Sequence, residues 1–154
     1  MIHNLPTTVK EEKEIAVLEA SVETGVSEKK IKAMAVKHNL SVARVMDGIF
    51  LAKRYERSYY SVCMLLKNHT PEEVEEILIL ADTTGQNMIS LSKIFQHFGG
   101  VTVDEVEEFV SEVCGISCRR FRSSAVADAI EIAATNPDIL YLDSLLDEFK
   151  SFHL

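Results

Sequence analysis

The sequence predicts an all-α protein: a compact single-domain bundle of about eight short helices with helix-turn-helix corners, one helical domain over residues 1–154. Three observations predict it. Ser, Thr, Asn and Gly recur where helices start and stop. Apolar residues repeat at three- and four-residue spacing between those marks. Alternating strand patterns and hairpin turn pairs are nearly absent.

Thr8 with Glu11 forms a capping box for a first helix, whose apolar stripe Ile15, Leu18 and Val22 is expected to face inward until Gly25 ends it. Ser27 caps a second helix carrying Ile31, Met34, Ala35 and His38, with Asn39 as a left-handed terminator. Ser41 caps a third, carrying Val42, Val45, Met46, Ile49 and Phe50, with Val45 and Ile49 facing inward. This helix either runs on into the Tyr59 to Leu66 stretch or kinks near Glu56 to Ser58.

Thr70-Pro71-Glu72-Glu73 combines a capping hydroxyl, a first-turn proline and a carboxylate three residues on; the helix it starts buries Val74, Ile77, Leu78 and Ala81. Ser90 opens the next, with Leu91, Ile94, Phe95 and Phe98, stopped by Gly99-Gly100. Thr102 with Glu105 leads Val106, Phe109, Val110 and Val113 up to a turn at Gly115. Ser117 begins a further helix, with a break expected at Ser123-Ser124 before Val126 and Ile130. Asn136-Pro137-Asp138 restarts the chain into an amphipathic last helix. Helix, tight turn, helix recurs loosely, without a fixed period.

A chain of 154 residues, 47% hydrophobic and 26% charged, has enough apolar material for one core without staples. Cys63, Cys114 and Cys118 are odd in number and scattered, the pattern of reduced thiols. No apolar run reaches the roughly 20 residues of a membrane helix. Met1 to Pro6 lacks a cationic leader followed by an apolar stretch, so a cytoplasmic protein without membrane association is expected.

Charge is distributed unevenly. Residues 27–69 carry nine Lys/Arg against Glu28, Asp47 and Glu56, while every other segment is acidic within a net charge of -8. Lys29, Lys30, Lys32, Lys37, Arg44, Lys53, Arg54 and Arg57 are therefore candidate contacts for an anionic partner. Residues 28–54 read as a helix-turn-helix with Leu40 plugging the corner. Its early exposed positions Val42, Ala43, Arg44 and Asp47 form a poor reading head, because only Arg44 suits bidentate base contact. A solvated basic face explains the same residues. A second corner over 105–127 adds Arg119, Arg120 and Arg122, whose guanidiniums can fork onto phosphate or carboxylate, or pair with Glu105, Glu107, Glu108 and Glu112.

Asp82 to Lys93 resembles an EF-hand loop that has lost its ligands. Only Asp82 supplies a carboxylate and Lys93 stands where a bidentate Glu should close the loop, so no calcium is expected. Cys114 and Cys118 lack a second Cys/His pair, the five histidines are dispersed, and no nucleophile elbow or phosphate-cradling loop organises a reaction. No metal, cofactor or enzymatic activity is expected. Leu142, Leu145, Leu146, Phe149 and Phe152 make a broad stripe that either closes the core or docks on another chain.

The functional expectation is a non-enzymatic intracellular regulatory or adaptor protein that binds a macromolecular partner, a protein foremost. A helix-turn-helix DNA-binding regulator acting through 27–69 is the alternative, and an acidic decoy for a nucleic-acid channel is a third class. A homo-oligomer is compatible with the same sequence.

Overall fold

The computed structural model describes residues 8–116 and 125–153. Among these the protein is all-helical, with nine α-helices and no strand. They fall into two compact units, residues 1–71 and 72–154.

In the first unit α1 spans Val9–Thr24, α2 Glu28–His38, α3 Val42–Arg54 and α4 Tyr59–Leu65. Local chemistry sets the ends. Thr8 Oγ1 accepts from the Glu11 amide at 3.1 Å, Ser27 Oγ from Lys30 at 3.3 Å and Ser41 Oγ from Arg44 at 3.2 Å. Asn39 closes α2 in the left-handed region (φ 53), letting the Leu40 amide bond the Ala35 carbonyl at 2.9 Å. The core gathers Val17, Ala20, Val26, Ile31, Met34, Val45, Ile49 and Cys63, with Leu40 packed against it.

The inward face expected of α1 is corrected here. On α1 the buried residues are Val17, Ala20 and Thr24, whereas Ile15, Leu18 and Val22 are 49%, 52% and 77% exposed. The helix carries aliphatic residues on opposite sides. The side with Ala20 and Thr24 turns inward because small residues admit close approach to α2 and α3, and the Thr24 hydroxyl satisfies itself on the Ala20 carbonyl at 2.7 Å. Of the two alternatives for α3, the structure takes the break near Glu56 to Ser58. Glu56 takes φ 54 and the Arg57 amide reaches back to the Ala52 carbonyl at 2.8 Å, which terminates α3 before α4 begins. Phe50 is 41% exposed.

The second unit holds α5 (Pro71–Thr84, starting at the boundary residue), α6 (Met88–His97), α7 (Val103–Ile116), α8 (Ala125–Thr135) and α9 (Leu142–His153). α8 packs on α6, α7 and α9, and α7 on α9. Thr102 Oγ1 caps α7 by accepting from Glu105 at 3.2 Å. α6 starts earlier than expected: Asn87 Oδ1 accepts from Ile89 at 2.8 Å and Ser90 at 3.3 Å, leaving Ser90 inside the first turn. α7 continues through Gly115 to Ile116, so the predicted turn at Gly115 is absent. The helix expected from Ser117, with its break at Ser123-Ser124, lies largely outside the described residues. The EF-hand likeness also fails in geometry. Residues 82–84 end α5 and 88–93 lie in α6, leaving only 85–87 between the helices.

The helix-turn-helix recurrence is closer than the sequence suggests. Thr24-Gly25 and Thr84-Gly85, sixty residues apart, build the same corner. Both glycines have φ 73. Both threonine hydroxyls donate at 2.7 Å to the carbonyl four residues back, Ala20 and Leu80, and each accepts from the amide two residues on, Val26 at 3.2 Å and Gln86 at 3.4 Å. Ser27 and Asn87 then cap the following helices. Each unit thus opens with one long helix, a glycine corner and a shorter helix.

Candidate functional site

The first unit has eleven Lys/Arg and eight Asp/Glu, the second five and sixteen, so net basicity belongs to the first alone. Within it α2 concentrates the charge. Ile31, Met34 and His38 bury one side of this helix; at 100° per residue Lys29, Lys30, Lys32 and Lys37 occupy the remaining arc, all exposed. Between them lie Ala33 and Val36, the latter 83% exposed. Glu28, at the start, is the helix's one carboxylate.

The far end of this face is tied to α4. Lys37 Nζ sits 5.7 Å from the Tyr60 ring centroid, a cation–π contact that holds the ammonium over the aromatic. Beneath is His38, buried, its Nε2 without a hydrogen-bond partner. Burial lowers its pKa from 6.5, and the positive charges of Lys37 and Lys67 lower it further. A neutral imidazole therefore lies under a positive surface.

Across the three-residue corner 39–41, α3 presents Ala43 and Asp47 exposed and Val42 and Arg44 half-buried. The remaining candidate cations of this unit lie on α3 and the α3–α4 linker. Lys53 donates its ammonium to the Thr24 carbonyl, placing a cation at the C-terminal end of the α1 dipole. Arg54 ends α3, and Arg57 is half-buried in the α3–α4 linker, where it lines a depression with Glu56, Tyr59 and Tyr60. Arg119, Arg120 and Arg122 lie outside the described residues.

Gln86, in the second unit, was not singled out by its sequence context. It is buried, its Nε2 donates to Cys114 Sγ on α7 at 3.2 Å, and its Oε1 accepts from the Val126 amide at the start of α8 at 3.3 Å. One side chain thereby joins the helix ends on either side of residues 117–124. Leu142, Leu145 and Phe149 are buried where α9 meets α7 and α8, and Leu146 is half-buried. Those residues form core rather than a docking stripe; Phe152 stays exposed, at 69%.

The surface that sequence reasoning missed is the outward side of α1. Its Ile15, Leu18 and Val22 have the spacing of a core face, and nothing in that spacing distinguishes it from the side that is buried. Among the described residues no three His, Cys, Asp or Glu side chains group as metal ligands, and no helix is long and apolar enough to cross a membrane. Comparison with protein-family models, with curated proteins and with solved structures returns no match.

Proposed function

We propose that this chain works by binding rather than catalysis, as a small regulatory or adaptor protein of the cytoplasm whose α2 lysine face engages an anionic surface of a partner protein. The observation that carries the reading is the spread of four lysines across the exposed arc of α2, with Glu28, Ala33 and Val36 between them. Neighbouring like charges on a helix cost a few tenths of a kcal/mol per pair, about 0.2–0.5. Glu28 alone on this helix offsets them. An acidic partner surface would convert that repulsion into attraction and speed encounter.

The test is retention of a partner from native extract by the intact chain, with and without nuclease, at increasing salt. Retention that survives nuclease and is lost in Lys29→Glu/Lys32→Glu/Lys37→Glu supports the reading. Retention unchanged by these reversals removes it. A second reading, duplex DNA held at the α2–α3 corner, is favoured by the three-residue turn and by Lys37 and Arg44 on either side of it. It requires a steep salt dependence, with a slope of roughly 0.9 per neutralised phosphate, and loss on nuclease treatment. The exposed Asp47 on α3 counts against it.

A further inference from the structure

We propose that the outward side of α1 is a docking surface for an amphipathic helix of a partner protein, one whose apolar stripe is bordered by lysine or arginine. This surface is independent of the α2 face, being on a different helix and of opposite charge.

Ile15, Leu18 and Val22 follow an i, i+3, i+7 register, so they align over about two turns, roughly 10 Å of helix. They are 49%, 52% and 77% exposed. Single exposed aliphatic residues are ordinary, but three aligned on one helix opposite its buried side make a stripe of the kind partner helices cover. Glu11, Glu12, Glu14, Glu19 and Glu23 border it, all exposed. Lys10 and Lys13 fall, by their spacing from Val17 and Ala20, on the other side of the helix. The outward arc is thus apolar in the middle and acidic at its edges, which selects a partner helix of the reverse border charge.

The second unit offers a comparison at Leu18 alone, since the residues sixty positions beyond Ile15 and Val22 are Glu75 and Asp82. α5 ends in the corner that ends α1, and the residue sixty positions beyond Leu18 is Leu78, which is fully buried. Leu18 is the leucine at that register left uncovered. Pairing of α1 with α1 of a second copy would set glutamate edges against glutamate edges, so a second copy is the disfavoured occupant.

The experiment is an amide-resonance titration of the intact chain with a synthetic helical peptide of about 18 residues, leucines at i, i+3, i+7 bordered by lysines, beside the same peptide bordered by glutamates. The lysine-bordered peptide is expected to shift the α1 amides saturably, and the glutamate-bordered one to leave them unmoved. Leu18→Ser and Val22→Ser, both at exposed positions, should each weaken binding about tenfold while melting like the parent. Equal binding of both peptides, binding indifferent to both substitutions, or no binding would overturn the proposal. So would a parent chain that sediments as a dimer and becomes monomeric in Leu18→Ser, because a second copy would then be the occupant.

Discussion

Gly48 of α3 lies directly against Cys63 of α4: a Cβ on Gly48 would stand 2.7 Å from Cys63 Sγ and 3.0 Å from Leu66 Cδ1. The contact is possible only without a side chain at position 48, and it sets the spacing of the two helices.

Gly48→Ala should therefore destabilise the first unit by about 1–3 kcal/mol, because overpacking outweighs the roughly 1 kcal/mol that alanine gains as a helix former. Adding Cys63→Ala removes the nearer obstacle and should restore part of the loss. Denaturant unfolding of both single variants and the double variant measures this, and strictly additive effects would contradict it.

His38 predicts a pH dependence. Its folded pKa lies below the ordinary 6.5, from burial first and then from Lys37 and Lys67. Between 6.5 and that lower value the unfolded chain binds the proton more readily, so stability rises with pH across this window and falls on acidification. His38→Phe should flatten this part of the profile, as phenylalanine carries no titrating group at this buried position. Thermal melts of both proteins from about pH 5 to pH 8 show it as a difference in slope.

Glu56 holds φ 54 without being glycine. Glu56→Gly should stabilise the α3–α4 linker by about 0.5–1 kcal/mol, since the left-handed conformation carries no Cβ penalty in glycine. A lower denaturation midpoint for the variant would refute the assignment.

Gln86→Ala removes the acceptor for the buried Val126 amide. The orphaned donor should cost about 1–3 kcal/mol. Hydrogen exchange at Val126 should accelerate in the variant, while exchange in α1 to α4 stays as in the parent.

The parts of this fold legible in the sequence are those fixed by a few neighbouring atoms. Thr8, Ser27, Ser41 and Thr102 each cap the helix expected of them, because a hydroxyl three residues from an open amide is a local relationship. Asn87 took the capping role expected of Ser90 for the same local reason, its oxygen reaching two amides at once. The side of α1 that turns inward was not legible, since two aliphatic stripes compete and only the small residues Ala20 and Thr24 decide between them. The four lysines of α2 could be read as basic from sequence, yet their sharing of one exposed arc emerges only once Ile31, Met34 and His38 fix the inner side. Lys53 looked equivalent to them until the Thr24 carbonyl claimed it. The Thr-Gly corners escaped notice because two identical residues in sixty are too few to mark a period, although their hydrogen bonds match.

Within either unit, the closely packed helix pairs are first or second neighbours in chain order: α1 with α2 and α3, α2 with α3 and α4, α3 with α4, then α6 with α8, α7 with α8 and α9, and α8 with α9. Such topology needs only short loop closures before contacts reward them, which places each unit on the fast side of folding kinetics. A ribosome supplying about 5–20 residues per second gives the leading four helices several seconds to settle before the trailing five are complete.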